Sequence, residues 1–185
     1  GMNDPDPGTR FSAAAGLAKL GDQKAIETAI QVLRNPRPEN RAIAAGFLAG
    51  GKQAEILHAL IQALGDSDPE VRAAAAASLG KSGDPNSLEP LIQRLRDEAP
   101  SVRAAAAEAV GDLRQPKSIP SLKDAMKDRD SLVRISAAQG LALLSVPAGR
   151  RFLKTALSDN DYDVRASAAR ALGRVQDRDA LALLA

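Results

Sequence analysis

The sequence contains no cysteine and no tryptophan, a single histidine (His58), two methionines, and only four aromatic side chains, Phe11, Phe47, Phe152 and Tyr162. The missing cysteines exclude disulfides, thiolate metal sites and cysteine nucleophiles. A lone histidine cannot build a multi-histidine metal centre, and so few rings leave little on which a base could stack. No apolar run approaches the roughly 20 residues that a bilayer-spanning helix needs. The stretch Gly1-Met2-Asn3-Asp4-Pro5-Asp6 lacks the basic and apolar segments of a signal peptide. Gly1 ahead of Met2 reads as a cloning remnant. A soluble, cytoplasmic protein is the expectation. Neither sign of charge dominates, with 25 basic against 23 acidic residues and a net charge of +2.

Alanine and leucine are abundant instead, 37 and 23 of 185 residues, a composition that favours helices around an aliphatic core. Six arginines then fall at a constant spacing of 31: Arg10, Arg41, Arg72, Arg103, Arg134 and Arg165. A fixed period of that size marks a solenoid. Four residues after each arginine stands alanine (Ala14, Ala45, Ala76, Ala107, Ala138, Ala169), and seven after stands Leu17, Leu48, Leu79, Val110, Leu141 or Leu172. Val71, Val102, Val133 and Val164 precede the last four arginines. Nineteen residues after the arginines come Ala29, Leu60, Leu91, Leu122, Leu153 and Leu184, and twenty-three after come Leu33, Leu64, Leu95, Met126 and Leu157.

These offsets predict two amphipathic helices per repeat, because each set shares one face at 3.6 residues per turn. In the third repeat Asp68-Pro69-Glu70 reads as an N-cap, a first-turn proline and an acid favoured by the helix dipole. That helix is expected to end at Gly83, with Asp84-Pro85 opening a second helix that runs to about Asp97. Helices of roughly 12 residues are marginal alone. Each must bury its apolar face against neighbouring repeats. Alanine runs such as Ala73 to Ala77 favour helix and let adjacent first helices approach closely.

The pattern Asp66…Val71-Arg72-Ala73-Ala74-Ala75…Leu79-Gly80…Gly83-Asp84-Pro85…Leu88…Leu91…Leu95 resembles the short phycobilisome-lyase-type HEAT-like repeat. It recurs at Asp97…Val102-Arg103, Asp128…Val133-Arg134 and Asp159…Val164-Arg165; Thr9, Asn40 and Asn35 depart from it in the first two copies. The resemblance implies an all-α fold, a right-handed solenoid of about six two-helix repeats. One domain over 2–185 would hold repeats at about 4–35, 36–66, 67–97, 98–128, 129–159 and an incomplete 160–185. It also implies that Asp66, Asp97, Asp128 and Asp159 lie in inter-repeat turns, and that the six arginines form a ladder along the stack. The physics agrees, since a carboxylate there can accept orphan helix N–H groups while a guanidinium bridges carboxylates and carbonyls. An arginine row binding phosphates is the weaker reading.

Several motif look-alikes dissolve on inspection. Gly46 to Lys52 has phosphate-loop spacing, but Gln53 replaces the hydroxyl residue and no strand precedes it. Asp159-Asn160-Asp161-Tyr162-Asp163 imitates a calcium loop, but Val164 and Arg170 stand where the turn glycine and closing glutamate belong. No nucleophile, base and orienting acid form a set. The His-Glu pairs of HEAT-type iron hydroxylases are missing. No cofactor and no metal site is expected, and no enzyme beyond what a lyase-like resemblance would bring.

In HEAT solenoids the second helices line the concave surface, which directs attention to the stripe opposite their leucines. Gln31, Gln62 and Gln93 align there, beside Arg34, Arg96, Lys127 and Arg151. In a neighbouring column Ile30, Ile61 and Ile92 give way to Lys123 and Lys154. Residues 1–92 hold 9 bases and 11 acids, residues 93–185 hold 16 and 12, and much of the excess lies at Lys117, Lys123, Lys127, Arg150, Arg151 and Lys154. The first expectation is a non-catalytic scaffold binding a protein partner, an acidic one being a candidate, through Gln31, Arg34, Gln62, Gln93, Arg96, Lys123, Lys127, Arg151 and Lys154. The alternatives are a phycobilin lyase-like subunit or chaperone of chromophore attachment, and a polyanion binder using the basic patch, with nucleic acid the less favoured partner. The uncapped apolar end Ala180 to Ala185 invites either further chain or self-association.

Overall fold

A computed structural model describes residues 23–176; Arg10 and the apolar C-terminal end lie outside the described residues. Ten α-helices and no strand are found among them. In chain order they are α1 (Gln23–Val32), α2 (Pro38–Phe47), α3 (Ala54–Ala63), α4 (Pro69–Ser82), α5 (Leu88–Arg94), α6 (Pro100–Asp112), α7 (Ile119–Ala125), α8 (Ser131–Leu143), α9 (Pro147–Ala156) and α10 (Tyr162–Arg174). The fold is an all-α solenoid of helix pairs. It divides into two compact units, up to Ser87 and from Leu88 onward, so the boundary falls inside the third repeat.

In the first unit, first helices α2 and α4 pack together, with second helices α1 and α3 laid against them. In the second, α6, α8 and α10 form the layer of first helices, and α5, α7 and α9 pack on it. The repeat columns explain both. Leu48, Leu79, Val110, Leu141 and Leu172 are buried, as are Ala29, Leu60, Leu91, Leu122 and Leu153. Within the second unit Ile135, Ala138, Leu153, Ala156, Val164 and Leu172 join in one cluster, with Phe152 and Leu157 packed against it.

Helix starts follow the anticipated chemistry where the residue permits. Asp68, Asp130 and Asp161 accept first-turn N–H groups through their side chains, while Ala99 at the equivalent place offers none. Gly83 stops α4 in the left-handed conformation at φ 70°. Arg114 (φ 50°), Ser145 (φ 60°) and Gln176 (φ 53°) adopt the same conformation at the same place in the next three repeats, whereas in the second repeat the left-handed residue is Gly50, two positions earlier.

Two expectations are revised. The second helices of repeats three and four do not start cleanly after Asp84 and Gln115. Each opens with a 3₁₀ turn, Pro85–Ser87 and Pro116–Ser118. The reason is a proline four residues on: Pro90 and Pro120 have no N–H to give the carbonyls of Asn86 and Pro116, so tighter bonds replace the first α turn. The third-repeat helix also ends at Arg94, and bonds from the Leu95, Arg96 and Asp97 amides to carbonyls three residues back finish it. Nor is α8 amphipathic. Every residue from Ile135 to Ala142 is buried, because α6, α7, α9 and α10 all pack around it.

Candidate partner-binding surface

Each inter-repeat turn is tied by one acidic or amide side chain. One carboxylate oxygen of Asp66, Asp97, Asp128 and Asp159 accepts the N–H two residues on, at 2.9, 3.0, 2.8 and 2.9 Å. In the second repeat Asn35 accepts the Arg37 amide at 3.0 Å in the same way. The following arginines return to these turns. Arg41, Arg72, Arg103, Arg134 and Arg165 each donate through Nη1 to two consecutive turn carbonyls.

Arg41 and Arg103 also clasp the carboxylate one repeat on. Arg41 donates from Nε and Nη2 to Asp66 at 2.7 Å each; Arg103 does so to Asp128 at 2.7 and 2.9 Å. The paired geometry matches guanidinium to carboxylate. It holds the Asp66 and Asp128 carboxyls below the usual range for an aspartate, first through the arginine hydrogen bonds and further through a backbone N–H, against the opposing pull of burial. The fifth repeat departs from the ladder. Arg134 bonds only the carbonyls of Asp128 and Arg129, and Asp159 is exposed, 25 residues on as before but unclasped. The second helix of this repeat is seated differently too: α9 begins at Pro147 without a 3₁₀ turn, and Gly149 lies against α8 so closely that a Cβ would run into the Ala138 carbonyl oxygen.

On the second helices, Gln31, Arg34, Gln62, Gln93, Arg96, Lys123, Lys127 and Arg151 are all exposed. Lys154 is half-buried instead, like Ile30, Ile61 and Ile92 in its column, whereas Lys123 in that column is exposed. The glutamines do not act alike, since Gln62 Nε2 lies 3.0 Å from the His58 ring nitrogen. Part of the basic patch is already neutralised. Lys117 lies 3.8 Å from Glu89, and Lys127 3.1 Å from Asp124.

Between α5 and α7 the surface opens into a groove of about 680 Å³, lined by Ile92, Leu95, Pro120 and Ala125 below and by Gln93, Arg96, Asp124 and Lys127 at the rim. A smaller hollow of about 280 Å³ follows between Met126 and α9, where Arg151, Phe152 and Thr155 face it. The column analysis found the rim residues but not the floor, where half-buried Ile92 lies near Pro120. On the first helices, sequence reasoning missed Arg174, which reaches from α10 to Glu108 at 3.1 Å and Asp112 at 2.9 Å on α6. Gly140 lets it do so, since α6 and α8 touch backbone to backbone at Gly111 and Gly140.

The sequence pattern of HEAT repeats matches residues 57–142 and 125–185, so the chain belongs to the HEAT-repeat family. No curated protein sequence matches the chain. Among solved structures, it is similar to the complex of CpcE and CpcF of phycocyanin lyase from Nostoc sp. PCC7120. There the TM-score is 0.75 at 25% identity, over 94% of this chain and 74% of that one. It is also similar to the Escherichia coli protein YibA, with a TM-score of 0.66, 25% identity, and 99% and 71% coverage. Human deoxyhypusine hydroxylase, at 19% identity, a TM-score of 0.52, and 96% and 93% coverage, shares the fold. Among the described residues no helix is long and apolar enough to cross a membrane.

Proposed function

We propose that this chain is a non-catalytic scaffold or adaptor that takes a protein partner on the polar surface of its second helices. The α5–α7 groove carries the reading, because it leaves apolar floor residues open beneath exposed polar ones. The first helices spend their side chains on packing and on the turns, whereas the second helices keep a face free. Gln31, Gln62 and Gln93 with Arg34, Arg96, Lys123, Lys127 and Arg151 would form the contact, and Lys154 its half-buried edge. The arginines and aspartates of the turns would serve as the structural ladder that holds successive second helices in register.

Affinity capture from the source organism tests this. The wild type should retain a defined protein, the variant Gln62→Glu/Gln93→Glu/Arg96→Glu should lose it, and Arg170→Glu on an exposed first-helix face should keep it. Capture that depends on Arg170 and ignores the second helices would reverse the assignment. The similarity to the phycocyanin lyase complex favours a second reading, a lyase-like subunit that works as one half of a pair. A bilin titration without spectral change would remove the chromophore part of that reading.

A further inference from the structure

We propose that the α5–α7 groove docks an extended acidic segment of the partner, with acidic side chains three residues apart and a small apolar residue between them. This rests on the second-helix reading above and assigns its central site.

The charges lining the groove are less balanced than their number implies. Asp128 has both carboxylate oxygens clasped by Arg103, and one also holds the Asp130 amide. Asp124 is answered by Lys127 in an exposed pair 3.1 Å apart, of a kind that rearranges readily. Arg96 is exposed and has no side-chain partner among the described residues. The unspent charge is therefore positive, and Lys127 can exchange Asp124 for an incoming carboxylate. Half-buried Ile92, with Pro120 and Ala125, forms a floor that suits a short aliphatic side chain and offers nothing to a sugar or phosphate.

Register sets the spacing. Arg96 and Lys127 occupy the same offset in successive repeats, 31 residues apart, so they stand one helix-to-helix step from each other. That step is roughly 8–10 Å, and a chain extended in the polyproline II conformation covers it in one turn of three residues at about 3.1 Å each. A segment crossing α5 and α7 thus brings every third side chain to a cation; Arg151, seven residues earlier in its own repeat, lies beside the next hollow.

Fluorescence anisotropy with a labelled dodecapeptide of repeated Asp-Leu-Ala, against Lys-Leu-Ala and a repeat with acids on alternate residues, tests the inference. The Asp-Leu-Ala probe should bind, the lysine probe should not, and the alternate-residue probe should bind at least about fivefold more weakly. Arg96→Glu with Lys127→Glu should weaken binding about tenfold or more, and Ile92→Ser about threefold, while Arg170→Glu on a first helix leaves it unchanged. No binding, binding indifferent to Arg96 and Lys127, or equal binding of both acidic spacings overturns the proposal. Stronger binding by a single-stranded oligonucleotide also overturns it, in favour of a polyanion surface. Should the captured partner depend on Gln31 and Gln62 but not on Arg96 and Lys127, the scaffold reading survives and this site does not.

Discussion

Helices α8 and α9 belong to the same repeat and live under different constraints. In α8 eight consecutive residues from Ile135 to Ala142 are buried, including Ser136 and Gln139. In α9 only Gly149, Leu153 and Ala156 are, and Arg150, Arg151 and Thr155 face outward. The side chains of α8 are chosen by neighbours on every side, so their identities speak of packing. Those on the free face of α9 are chosen by solubility and by whatever binds. The proposed contact therefore falls on helices of the α9 kind, and the tightest packing on helices of the α8 kind.

That contrast can be broken most severely where the two helices meet. Gly149→Ala pushes a Cβ into the Ala138 carbonyl, which cannot move without distorting α8. A loss of about 3 kcal/mol is expected in urea unfolding. Gly173→Ala, with nothing within 4 Å of its Cβ, is the control and should lose nothing. If both alanines cost the same, the close seating of α9 is not what holds the repeat.

The ladder supplies the next effect. Arg103→Ala strands the half-buried Asp128 carboxylate and two turn carbonyls, at about 1–3 kcal/mol. Arg134→Ala removes only carbonyl contacts and should cost about half as much. Equal costs would mean that the carboxylate clasp contributes nothing.

Acid should expose the same difference. Asp66 and Asp128 titrate lower in the folded chain than when unfolded, so the stability they lend is fully present above the unfolded value of 3.8. It drains away as pH falls below that value and through the lowered folded-state values. In Arg103→Ala the fall between about pH 4 and pH 2 should be shallower than in wild type. Parallel acid curves would contradict the clasp. Smallest of all, Lys123→Glu with Arg151→Glu on the free faces should move unfolding by less than about 0.5 kcal/mol. A collapse of the fold would show that those faces are not free.

Much of the fold was legible because a 31-residue period repeats each packing decision five or six times. Val71, Leu79, Leu91 and their counterparts are buried as the columns predict. The turn aspartates were readable for the same reason. What escaped was set by one copy differing from the rest. Pro90 and Pro120 reshape the start of a helix, and Pro120 also lines the groove. The left-handed column was visible at Gly83 but hidden at Arg114, Ser145 and Gln176, whose side chains do not announce a positive φ. Of the surface residues, sequence placed eight of the nine outward. The ninth, Lys154, is half-buried where Lys123 in the same column is exposed. The fifth-repeat departure, with Asp159 unclasped, carries no mark in the sequence at all.

In a stack whose members touch only those beside them, the terminal member can peel away without disturbing the third. Arg174 removes that freedom. It skips the fifth repeat and fastens the sixth to Glu108 and Asp112 of the fourth. Each such exposed tie is weak, yet opening the sixth repeat must break it, so that opening should involve more than one repeat.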